Sequence, residues 1–393
     1  MRYFLFFLVP IVTIVSSCSP TDDTVKNPFT AIREQFGTTI DPENLENYAN
    51  QPKPGYITRD NTNGNTITDA KATLGRVLFY DPNLSIDNTI ACANCHNQTQ
   101  AFSVGGQQSK GVLGGRTERH TMRLINARFG AEPHFFWNER ALTLEDQVTK
   151  PIRDHSEMGF SGIDGRPSFS AVLEKLKAIG YYQELFTLAY GDADITEARL
   201  QQSLAQFVRS IQSFDSRYDA GRAVVNADNQ PFPNFTQQEN QGKNLFLAPP
   251  QFDGSGTRTA GGAGCAGCHV PPEFSIAPNT GNNGIIGKIN STELDITNTR
   301  SPSLRDLTNF QGYPHGPMMH DGSLNTLEEV IEHYNAIPLQ PGNTNLDPKL
   351  RPNGSTQKLN LTVQEKAALV AFLKTLTGSA VYTDSRWKDP FNP

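Results

Sequence analysis

Apolar residues recur at helical spacing in separated stretches, and most of those stretches open on a Thr that can cap them. Thr68 precedes a pattern carrying Leu74, Val77 and Leu78. Thr143-Leu-Glu-Asp146 opens a second helix and Phe169–Ile179 forms a third. The longest runs from Thr196 to about Phe214, with Leu200, Leu204, Phe207, Val208 and Ile211 on one face. In the second half, Thr236-Gln-Gln-Glu239, Thr326-Leu-Glu-Glu329 and Thr362-Val-Gln-Glu365 have the form of capping boxes. They predict helices through Leu245-Phe246, from Leu327 and from Val363. Alternating strand patterns are weak, so the fold class is mostly α.

Between these stretches the chain is polar. Residues 19–66 are rich in Asn, Asp, Thr and Pro and read as a tether, residues 216–235 read as a linker, and a Gly/Asn-rich loop lies near 278–287. The tail, 378–393, reads as a surface wrap. At the other end, Arg2 is the one charge before an apolar run from Tyr3 to Val15. That run is too short to span a bilayer comfortably and ends in Val15-Ser16-Ser17-Cys18. Small residues before a Cys predict a bacterial lipoprotein signal over 1–18, with Cys18 acylated and the rest exported. Ser19 after it resembles the sorting signal of outer-membrane lipoproteins. The alternative is an ordinary signal peptide with an incidental Cys.

The chain has 393 residues and a net charge of −6, which argues against a nucleic-acid surface. Its 32 Gly and 26 Pro imply long loops that need an anchor. The cysteines supply one. Of the five, Cys18 is the lipid-anchor candidate, and the other four form Cys92-Ala-Asn-Cys95-His96 and Cys265-Ala-Gly-Cys268-His269. CxxC alone suits a redox pair or zinc. The His in register twice points to two covalently attached c-type haems, each held by two thiols with the adjacent His as proximal iron ligand. The organisation that follows is a haem unit over 67–215 and a second over 216–377.

Around these motifs the sequence resembles the bacterial di-haem cytochrome c peroxidase family, which includes MauG. The marks are Leu78-Phe-Tyr-Asp-Pro-Asn-Leu-Ser85, Asn97 after the first CxxCH, and Phe136-Trp137-Asn-Glu-Arg140-Ala141. Further marks are Leu144-Glu-Asp-Gln147, Pro151-Ile152, Glu157-Met158-Gly159 and Ser301-Pro-Ser-Leu-Arg305. The last are His320-Asp-Gly-Ser323 and Thr326-Leu-Glu-Glu-Val-Ile-Glu-His-Tyr334. The resemblance implies two cytochrome-c-like haem domains with long loops. The first haem meets hydrogen peroxide, and the second takes electrons from a small cytochrome or copper protein.

The resemblance also implies roles. Glu157 matches the acid–base position, Gln147 and Pro151 match distal-pocket positions, and Trp137 matches the tryptophan between the haems. Outside the family, Glu157 would read as a solvated loop carboxylate and Trp137 as a core aromatic. The loop His that caps the first haem in classical members is Val112 here, which cannot ligate iron and implies an open site. His120 and His134 lie near enough in sequence to substitute. The sixth-ligand candidates for the second haem are Met318, Met319, His333 and Tyr334. Tyr334 matches the family position, although it shares a helical face with Leu327, Val330 and Ile331 and could be core. His320 matches a His near that haem. The family's calcium side chains appear as His120 and His315, poor ligands for a hard cation, which argues against calcium.

Three functions compete: a peroxidase reducing peroxide to water, a MauG-like oxidase acting on a partner protein, and an electron-transfer cytochrome with no peroxide chemistry. Val112 argues against the last. Oligomeric state is not written in the sequence, and a homodimer stays open.

Overall fold

Thr30–Phe36 (α1), Asp69–Tyr80 (α2), Cys92–Cys95 (α3), Leu144–Arg153 (α4), Ser170–Lys177 (α5), Gly180–Tyr190 (α6) and Glu197–Ser210 (α7) succeed one another in the first half of the chain. Arg217–Arg222 (α8), Gln237–Leu247 (α9), Leu327–Asn335 (α10) and Val363–Lys374 (α11) follow. Two short antiparallel ribbons, Pro250–Phe252 (β1) with Arg258–Gly261 (β2) and His269–Val270 (β3) with Ser275–Ile276 (β4), are the strands among the described residues. This computed structural model describes Met1, Tyr3 and residues 28–130, 134–276 and 281–392. The signal segment, Cys18 and residues 19–27 therefore lie outside the described residues, apart from Met1 and Tyr3. Among the described residues no helix is long and apolar enough to cross a membrane.

The Thr caps form as the pattern predicts. Thr68, Thr143 and Thr196 accept from Lys71, Asp146 and Arg199 N–H. The boxes at Thr236, Thr326 and Thr362 close with Glu239, Glu329 and Glu365. The α7 helix stops at Ser210 rather than Phe214, because Ile211 turns extended and its carbonyl accepts from Asn126 N–H at 3.0 Å.

Buried apolar residues gather into two cores. One draws on residues from Ile32 to Ile211, the other on residues from Tyr218 to Leu376. Each core has the same crossing. In α2, Gly75 lies so close to α7 that an added Cβ would sit 2.0 Å from the Ser203 carbonyl oxygen. In α9, Gly242 meets α11 the same way, 1.9 Å from the Ala368 carbonyl oxygen. Between the two helices of each crossing the chain forms a CxxCH turn and then a strap, Thr121–Asn126 in one half and Ser301–Asp306 in the other. The straps tie back identically. Asn126 Oδ1 accepts from Ser213 N–H just past α7, and Asp306 Oδ1 accepts from Gly378 N–H just past α11, both at 2.9 Å. The duplication thus extends well beyond the CxxCH repeat.

Three polar segments pack more than their composition predicts. Residues 28–66 are not a free tether: Ile32, Phe36, Ile40 and Tyr48 enter the first core, and Tyr48 donates to the Arg386 carbonyl at 2.6 Å. The composition left room for a packed segment here, but isolated apolar residues in a polar stretch carry no period that would locate it. The expected linker holds α8, with a Ser216–Asp219 capping box, and buries Tyr218, Phe232 and Phe235 in the second core. The tail is not a surface wrap, since Val381 and Trp387 are buried in the first core and Tyr80 donates to the Trp387 carbonyl at 2.6 Å.

The glycine crossings generate a test. Gly75→Ala and Gly242→Ala each force two backbones apart, and each should cost about 1–3 kcal/mol. Urea unfolding midpoints check this, with Gly37→Ala, which meets open space but has φ of +55°, as a strain-only comparison.

Candidate functional site

The first CxxCH forms the single turn of α3. Asn94 Oδ1 accepts from Ala91 N–H at 2.6 Å, and His96 N–H returns to the Cys92 carbonyl at 2.8 Å. The His96 ring donates from Nδ1 to the Phe102 carbonyl at 2.9 Å. Burial lowers its pKa, so the imidazole is neutral and the Nε2 lone pair is left for a ligand. The second CxxCH is a 3-10 turn, with Cys268 N–H on the Cys265 carbonyl at 3.1 Å. Burial takes the His269 pKa down to about 4, and its buried Nδ1 has no hydrogen-bond partner.

The four thiols are free, and burial pushes Cys92 and Cys265 up to about 12. A thiol held in its protonated form is the opposite of a low-pKa redox cysteine. Each Cys-His set borders a cavity. The cavity at Cys265, Cys268 and His269 is about 420 Å³, and the cavity at Cys95 and His96 is about 170 Å³. Two thiols and one neutral His are the donor set that a c-type haem requires; the cavity beside the second set is mostly apolar, and the one beside the first adds Arg140, Gln147, Asp154 and Glu157, so the residues fit that group at both places.

The first cavity gathers Trp137, Arg140, Gln147, Pro151, Asp154 and Glu157 with His96. The α4 helix presents Gln147 and Pro151, and the turn after it presents Glu157. That turn is clamped from both sides. Asp154 Oδ1 accepts from Glu157 N–H at 3.0 Å, and the Glu157 carbonyl accepts from Val112 N–H at 3.0 Å. Gly111 lets the Val112 loop touch Ser156, where a Cβ would sit 1.9 Å from the Ser156 carbonyl oxygen. Val112 itself is buried and does not line the cavity. Burial and the neighbouring Asp154 raise the Glu157 pKa to about 7, against the pull of Arg140.

The second cavity brings Met318, Met319 and Tyr334 together. Asn283 Nδ2 lies 3.3 Å from both Met319 Sδ and Tyr334 Oη. Burial raises the Tyr334 pKa. His333 is turned away, with Nε2 on the Asn283 carbonyl at 2.9 Å. His120–Arg123, Trp137, Arg300 and Pro302 line both cavities and form the wall between them. Trp137 Nε1–H donates to the His120 carbonyl at 2.6 Å. His120 Nδ1 meets the Gly106 carbonyl at 3.1 Å, and His315 Nε2 shares a hydrogen bond with Tyr382 Oη at 3.0 Å. His134 contributes its carbonyl to Arg300. Among the described residues no three His, Cys, Asp or Glu side chains cluster for a metal ion.

Sequence reasoning did not find the wall arginines Arg123 and Arg300. Nor did it give a site role to Arg140, whose guanidinium stacks 3.6 Å from the Phe136 ring centroid. Arg123 had one available signal, a cation inside an otherwise apolar Thr-Met-Arg-Leu-Ile stretch.

Residues 69–225 match the family model for di-haem cytochrome c peroxidase. The methylamine utilization protein MauG of Methylophilus methylotrophus is 30% identical over 324 residues, covering 81% of this chain and 85% of that protein. The chain belongs to the di-haem cytochrome c peroxidase and MauG family. The cytochrome c551 peroxidase of Nitrosomonas europaea, 28% identical over 78% of this chain and 80% of its own, is a relative on the peroxidase side. A solved MauG-like protein associated with microbial copper homeostasis superposes with a TM-score of 0.65 at 28% identity, covering 87% of this chain and 99% of that one. Members of this family are oxidoreductases that carry two haems, and this member has two cavities with the donors for them.

The raised pKa of Glu157 has a stability consequence. A carboxyl that ionises near pH 7 when folded and near 4.5 when unfolded loses stability as pH rises through that window. Glu157→Gln removes the loss. The variant should gain about 1–3 kcal/mol relative to the parent between pH 5 and pH 8, read from unfolding midpoints at the two pH values.

Proposed function

We infer that this protein is a di-haem peroxidase that reduces hydrogen peroxide to water: H2O2 with two electrons and two protons gives two H2O. Cys92 and Cys95 would hold one haem and Cys265 and Cys268 the other, with His96 and His269 as proximal ligands. The haem at His96 would supply the iron and electrons that cleaving the O–O bond requires. The observation that carries the reading is Glu157 lining the same cavity as His96, with a pKa close to neutrality.

A carboxyl with that pKa exchanges protons readily at working pH. Glu157 takes the proton from one peroxide oxygen and returns it to the other, which leaves as water. Gln147 orients the peroxide through its amide, and the clamp on the Glu157 turn keeps the carboxyl aimed into the cavity. Trp137, touching both cavities, is the side chain through which charge passes between them. Electrons come from a small cytochrome or copper protein that docks near the second site. The signal pattern over 1–18 supports export, with Cys18 as a lipid anchor in the periplasm, at the outer membrane.

A second reading is a MauG-like oxidase acting on a partner protein. Two observations favour it: Val112 leaves no loop ligand over the first cavity, and Tyr334 lines the second. A phenolate ligand would lower the potential of that haem relative to a thioether. Steady-state peroxide turnover with a small reduced donor separates the readings, since only the first consumes that donor as its reductant.

For either reading, Glu157→Gln should lower the peroxide reaction about 10²–10⁴-fold with haem content unchanged. The parent should show an acidic limb near pH 7, because the carboxylate that accepts the first proton is populated only above it. Stopped-flow mixing with peroxide across pH measures both, and unchanged rates in the variant would exclude the proton-transfer role.

A further inference from the structure

The wall between the cavities contains a cation that has no ion-pair partner among the described residues. Arg123 lies on the strap Thr121–Asn126 and lines both cavities. Its Nε is buried without a partner, and Nη2 reaches only the Ser303 carbonyl, at 3.4 Å. Among the described residues no carboxylate forms an ion pair with it. The titratable groups that act on it are the buried Asp306 and the Tyr382 phenol, which burial keeps neutral. Asp306 does not pair with it: Oδ1 accepts from Gly378 N–H and Tyr382 O–H, both at 2.9 Å, and Oδ2 is buried with no hydrogen-bond partner among the described residues.

The neighbouring arginines show how unusual this is. Arg305, fully buried, pairs with Asp219 at 2.9 Å and donates to the Pro272 carbonyl at 2.7 Å. Arg119 pairs with Asp295 at 2.5 Å. The fold gives these cations carboxylates of its own. A guanidinium taken from bulk water without an anion is strongly unfavourable, and its planar fork matches a carboxylate. Arg123 therefore has an open anion requirement that faces the two cavities.

Each haem carries two propionate carboxylates. We propose that Arg123 is a propionate clamp shared by the two haems, and that as a cation common to both sites it raises their reduction potentials together. The proposal rests on the two-haem reading above. A nearby positive charge favours the reduced, less positive iron, so removing it lowers the potential at each site. Trp137 and Arg123 then divide the work of the wall, the indole as the path and the guanidinium as the shared electrostatic reference.

The test uses holo-protein matured in cells able to attach c-type haem. Haem per chain is measured first by the pyridine haemochrome. A parent protein without haem overturns the underlying reading, and that outcome is distinct from failure of the clamp. With haem present, potentiometric titration of Arg123→Gln should show both midpoints lowered, and resonance Raman should show the propionate-bending bands displaced. Arg123→Lys keeps the charge and should restore the midpoints most of the way while the bands stay displaced. Midpoints and bands unchanged in Arg123→Gln overturn the proposal, and so does a shift at one haem alone. If Arg123→Gln does not accumulate, Arg123→Lys carries the test, and unmoved propionate bands in it overturn the clamp.

Discussion

The hydrogen bond from Trp137 Nε1 to the His120 carbonyl holds together a wall that faces two cavities at once. Among the described residues, His120–Arg123, one indole, Arg300 and Pro302 are what the two cavities share. Because Trp137 lies against both, the two cavities are one side chain apart. His120 N–H donates to the His320 carbonyl at 2.8 Å, and Arg300 N–H donates to the Trp137 carbonyl at 2.7 Å. These bonds stitch the strap of the first half to segments of the second. The chemistry of each cavity depends on this partition being rigid.

Rigidity comes from the two crossings outside the wall. At Gly75 and Gly242 helix backbones touch directly, which fixes each helix pair more firmly than interdigitated side chains would. The straps then hang from the ends of α7 and α11 through Asn126 and Asp306. The same device, used twice, delivers both straps to the wall from opposite sides. The cavities bordered by the two CxxCH motifs lie beside helices that are already pinned elsewhere.

The helices that begin on Thr were legible in the sequence because a cap is a local signal, complete within four residues. The CxxCH pairs were legible for the same reason. The repetition of the two halves was legible only at the CxxCH itself; the rest of it lies in Gly75 with Gly242 and Asn126 with Asp306, single residues in dissimilar surroundings. The packing of residues 28–66 was hidden too: Ile32, Phe36 and Tyr48 are buried by contacts with residues far along the chain, which no window can see. The resemblance brought Glu157, Gln147, Trp137 and Tyr334 forward as candidates. It could not bring Arg123 forward, whose meaning comes from the partners it lacks in three dimensions.

The path of the tail has a consequence for biogenesis. Val381 and Trp387 fill places in a core whose other members are complete by Ile211, with the whole second core built in between. Seen as topology, the second half is an insertion into the first. A chain that folds from its amino-terminal side thus cannot seal the first core until Val381 and Trp387 are available. Until then that core has unfilled seats, and Cys92 and Cys95 lie in a loosely closed unit rather than a finished one.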